Sequence, residues 1–179
     1  MTENISFEEI RPFNDDEVSA VINSLCNEPY FLRILPALFP STPIDAVVAK
    51  LKTVKSIETW QEDFIIPFLN NVIANSTDGL TASGIENLDP KKSYLFLTNH
   101  RDIVLDSAFL NVKLHEKGFK TTEIGIGDNL LIYDWITDVV KLNKSFIVKR
   151  GLPVRQMMEA SGTLSAFIRY SITQQHQNI

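Results

Sequence analysis

The spacing of the apolar residues changes once along this 179-residue chain, and that change limits what it can fold into. Before it, Val18, Val21, Ile22 and Leu25 recur at helical spacing, as do Val47, Val48 and Leu51, and then Trp60, Phe64, Ile65, Phe68, Leu69 and Val72. Pro29, Pro36, Pro40 and Pro43 punctuate this stretch, and Asn75-Ser76-Thr77-Asp78-Gly79 reads as a turn that closes it. Residues 1–79 are therefore expected to form a small helical N-terminal region. Beyond it, short apolar runs alternate with helical periods. Tyr94–Thr98, Thr122–Ile126 and Ser145–Val148 read as strands, and 103–114, 130–140 and 153–172 as helices. Pro153 suits a first helical position, and Val154, Met157, Met158, Leu164, Phe167, Ile168 and Ile172 form one apolar face behind it. Strand and helix in alternation predict an α/β fold over 80–179, with a mainly parallel sheet and flanking helices. Three strands make a thin sheet, so the expectation is a truncated domain, the front part of a longer one.

Composition excludes several classes. Cys26 is the only cysteine, so no intramolecular disulfide and no cysteine-built zinc site can form, and a cytoplasmic setting is expected. With 44% apolar and 22% charged residues the chain reads as globular, and no run approaches the roughly 20 apolar residues of a membrane span. Any membrane contact would be peripheral, on the inner face. A net charge of −5 argues against a nucleic-acid partner. The charge is uneven, however. Glu3, Glu8, Glu9, Asp15, Asp16, Glu17 and Glu28 face only Arg11 in the first 28 residues, whereas Lys141, Lys144, Lys149, Arg150 and Arg155 lie in 139–158 without an acid. Such a basic run suits an anion, although it is more often a solvated face.

His100 follows an apolar run and precedes a helical period, which puts it at the end of a strand where open α/β sheets place their ligands. An imidazole can take a proton from a hydroxyl near neutral pH when a carboxylate fixes its tautomer. Asp102 and Asp106 are both near enough in sequence to do so. Each has a simpler reading: Asp102 as the N-cap of the helix that starts at Ile103, Asp106 as a first-turn complement to the helix dipole.

Asn99-His100 followed shortly by an acid resembles the first motif of the glycerol-3-phosphate and 1-acylglycerol-3-phosphate acyltransferases, within the phospholipid acyltransferase superfamily. The family's usual spacing would put the acid at Leu105; here Asp106 stands one position later, and it is favoured over Asp102. Ser145-Phe146-Ile147-Val148-Lys149-Arg150-Gly151 resembles the family's second block, with Arg150 matching its phosphate-binding arginine. A guanidinium fork suits phosphate oxygens. The resemblance implies His100 as general base, oriented by Asp106 or Asp102, with Arg150, Lys149, Lys144, Asn99 and Arg101 around the acceptor. It implies transfer of a fatty acyl group from acyl-CoA or acyl-acyl-carrier protein, as co-substrate rather than cofactor, to a hydroxyl of a glycerol phosphate or lysophospholipid. No cofactor and no metal are implied.

The third block of that family, a Glu-Gly pair, is absent from 151–179, so the expectation is a fragment inactive by itself. The alternative is a non-catalytic lipid- or acyl-carrier-binding module on the same fold. Other readings fail on their residues. His100-Arg101-Asp102 resembles a kinase catalytic loop, but Ser107 stands where the asparagine should be. Gly125-Ile126-Gly127 starts like a dinucleotide fingerprint, but the third glycine would fall at Leu130, and a tight turn is the simpler expectation. A serine hydrolase using Ser93 or Ser107 would need a Gly-x-Ser-x-Gly elbow that the chain lacks.

Overall fold

The computed structural model of the protein describes residues 6–99 and 101–179. The chain divides into two compact units, residues 12–78 with 131–144, and residues 6–11 with 79–130 and 145–179.

The first unit is helical. It comprises α1 (Asp15–Leu25), α2 (Pro29–Leu38), α3 (Ile44–Leu51), α4 (Ile57–Trp60), α5 (Ile66–Ser76) and α7 (Asp134–Leu142). Local sequence starts these helices. Asn14 and Glu17 form a capping box on α1, Glu28 accepts the N–H of Tyr30 at α2, and Ser56 accepts that of Thr59 at α4. Between α4 and α5 the chain widens into a π-helix over Gln61–Ile65, where Ile66 donates to the carbonyl of Gln61. Pro67 follows at once and has no N–H to continue an α pattern. Ile22, Leu35, Leu51, Val54, Trp60 and Leu142 belong to one buried apolar cluster. In α2, Phe31 and Leu35 are buried, while Tyr30 is exposed and stacks on Tyr133 at 6.1 Å.

The second unit holds β1 (Ile124–Gly127), β2 (Ser145–Val148), α6 (Leu105–Glu116) and α8 (Val154–Thr173). β1 and β2 run parallel, Ile124 opposite Ser145 and Gly127 opposite Val148. Here the expected mainly parallel α/β sheet is overturned: 55% of the described residues are helical, and the named strands are two short parallel ones of four residues each. The reason is visible at Tyr94–Thr98, which was expected to be a buried strand. Among the described residues its main chain meets only Asn178–Ile179, with Ile179 donating to the carbonyl of Tyr94 (2.9 Å) and accepting from Phe96 (2.6 Å). An apolar run becomes a strand only when a partner of comparable length answers its N–H and C=O groups. Leu95 and Leu97 are accordingly exposed.

Those few bonds still set a direction. Ile179 bridges residues 94 and 96 in the manner of a parallel pair, and Asn178 bridges Thr122 in parallel on its other side. Residues 94–96, 178–179, β1 and β2 therefore all point the same way, and the loops after 96, 127 and 148 leave from one edge. α8 lies over this array through Phe167, whose ring is 5.3 Å from that of Phe146. Its expected single apolar face is divided: Phe167 is buried, whereas Val154, Met157 and Met158 near its start are exposed. Among the described residues no helix is long and apolar enough to cross a membrane.

Candidate active site

The loop that follows position 100 is organised by two carboxylates. Asp106, in the first turn of α6, turns back so that its Oδ2 accepts the backbone N–H groups of Arg101 (2.6 Å) and Asp102 (2.9 Å). The Oδ1 of Asp102 accepts those of Val104 (2.9 Å) and Leu105 (2.8 Å), closing the turn into α6. Donors that a helix start leaves without intrahelical partners are thus met by side chains. His100 itself lies outside the described residues. What the structure does place is Asp106, bonded to the residue next to position 100, and Asp102, bonded forward into the helix. Asn99 and Arg101 flank position 100 and are exposed.

Arg150 follows β2 on the same edge. Its backbone N–H donates to Oδ1 of Asp128 (3.0 Å), the first residue after β1. Gly151 comes next with φ +66°, a left-handed conformation that turns the chain towards α8 at no side-chain cost. The Arg150 side chain is exposed, and its guanidinium has no ion-pair partner among the described residues. Lys149 pairs with Glu9 at 3.7 Å. Lys144 ends the helical unit just past α7, in the left-handed region at φ +60°. Of the residues expected around an acceptor anion, Arg150 follows β2 and Asn99 and Arg101 follow a segment that runs the same way, Lys149 pairs with Glu9, and Lys144 belongs to the helical unit.

Two contributors were not anticipated. Asp128 holds the backbone of Arg150, and Gly127 lies beneath its side chain; the tight turn expected at Gly125–Gly127 is in fact β1. Glycine inside a strand marks a place where another group comes close, and that signal was present in the sequence. Among the described residues no group of three or more His, Cys, Asp or Glu side chains could hold a metal ion.

The chain has no match among protein-family models, curated proteins or solved structures.

Proposed function

We propose that the protein is an O-acyltransferase in which His100 is the general base and Arg150 binds the phosphate of the acceptor. The observation that supports this best is Asp106 folded against the backbone after position 100, in a chain that also presents an exposed Arg150 after a strand running the same way as 94–96. In the reaction the imidazole of His100 accepts the proton of the acceptor hydroxyl as its oxygen attacks the thioester carbonyl of the donor. The C–O bond forms, the C–S bond breaks, and the imidazolium returns the proton to the departing thiolate. Asp106 holds the tautomer that makes this possible and stabilises the imidazolium. Asp102, whose Oδ1 accepts two N–H groups at the start of α6, is the second candidate for that role.

The surroundings suit a lipid. Leu97, Ile103 and Val104, on either side of position 100, are 89%, 61% and 63% exposed. Large apolar side chains left in water beside a candidate base give an acyl chain or a membrane surface something to contact. We therefore place the protein peripherally on a membrane face while it works.

The test is acceptor-dependent thiol release by the full-length protein from acyl-CoA or acyl-acyl-carrier protein, with glycerol 3-phosphate or lysophosphatidate as acceptor. His100→Ala should lower turnover by roughly 100-fold or more, the usual contribution of a positioned general base. Arg150→Ala should mainly raise KM for acceptors that carry phosphate. Donor binding without turnover, unchanged by His100→Ala, would instead identify a binding module.

A further inference from the structure

The approach of Arg150 to Gly127 carries a second conclusion, which rests on Arg150 being the anion ligand. A Cβ placed on Gly127 would lie 2.7 Å from Nε and 3.1 Å from Cδ of Arg150, and 2.6 Å from Oδ1 of Asn129. The stem of Arg150 and the amide of Asn129 thus lie directly against the backbone at the end of β1, in space that any other residue would fill. The backbone of Arg150 is fixed from the same loop, because Asp128 accepts its N–H. One strand end therefore meets Arg150 twice, once through a hydrogen bond to its main chain and once by leaving its side chain room to lie against bare backbone. Such a grip matters for a long cation. An arginine side chain has many rotamers, and an anion that must also halt that motion binds more weakly.

We propose that Gly127 and Asp128 are positioning residues that hold the guanidinium of Arg150 ready for a phosphate monoester. Asp128 acts as a hydrogen-bond acceptor here, not as a charge. Its carboxylate meets a backbone N–H, so an amide oxygen at the same position should serve equally well.

The experiment is a titration of the full-length protein with inorganic phosphate and with glycerol 3-phosphate, followed by calorimetry and by the NMR signal of the Arg150 Nε–H. Arg150→Ala should abolish saturable binding. Gly127→Ala and Asp128→Ala should each weaken it by about tenfold, the scale of one hydrogen bond. Asp128→Asn should restore it. That rescue is a readout a merely structural role would not produce, and it decides the matter even if Gly127→Ala unfolds. Wild-type affinity in folded Gly127→Ala, or equal losses in Asp128→Ala and Asp128→Asn, would overturn the proposal, as would wild-type protein that binds neither phosphate. The acyltransferase reading fails separately: the binding pattern without thiol release removes the enzyme and leaves the grip, whereas turnover that depends on His100, with KM unmoved by Gly127→Ala and Asp128→Ala, removes the grip and leaves the enzyme.

Discussion

The helical unit buries Leu51, Val54, Trp60 and Leu142 in one apolar cluster, whereas the unit that carries β1 and β2 encloses Asn111, Thr122, Ser171 and Asn178. The contrast follows from where each satisfies its backbone. A helix closes its own N–H and C=O groups, so its inward face can be wholly apolar. Segments that pair over two to four residues leave donors and acceptors over, and these need side chains. Asn111 accepts both the N–H (2.7 Å) and the hydroxyl (2.9 Å) of Thr122. Asn178 accepts the N–H of Tyr94 (3.0 Å) and donates to the carbonyl of Lys120 (3.1 Å). One unit is held mainly by apolar burial. The other relies more on specific polar pairing, and it is the one that carries the candidate site.

The largest effect should come from the apolar side. Leu142→Ala removes a fully buried side chain from the cluster and should cost about 2–5 kcal/mol in urea unfolding. Next comes the polar side. Asn111→Ala leaves the Thr122 N–H and hydroxyl buried without their acceptor and should cost about 1–3 kcal/mol, with faster hydrogen exchange at the Thr122 amide. A loss from Asn111→Ala exceeding that from Leu142→Ala would reverse the ranking of the two units.

The smallest effect sharpens the description of the helical unit. Asp138 on α7 is half-buried; burial raises its carboxyl above the ordinary value of 3.8, Asp134 one turn earlier raises it further, and Lys141 opposes both. Because the native value is the higher one, the charged form is disfavoured by folding. Stability from this group is therefore greatest below the ordinary value and falls as pH rises through the raised one. Asp138→Asn should add about 0.5 kcal/mol near neutral pH, the scale of a partly screened like-charge pair on a helix. The gain should vanish as pH falls below about 3.8, and a gain that persisted in acid would have another origin.

What the residues alone determined was local. Helical spacing located α1, α3 and α5, the alternation beyond residue 79 located β2 to the residue, and the motif around position 100 singled out Asp106 and Asp102, both of which prove to organise that loop. These depend on neighbours a few positions away. The tertiary structure decided the rest. Among the described residues Tyr94–Thr98, with the composition of a strand, meets only two residues of backbone partner, Val154, Met157 and Met158 have helical spacing but are exposed, and α7 lies between β1 and β2 in sequence yet gives Leu142 to the helical core. Gly127 beneath Arg150 is the clearest case, because no local rule pairs residues 23 positions apart. Whether an apolar run is paired, covered or left in water depends on which distant segments reach it, and a row of residues does not contain that distance.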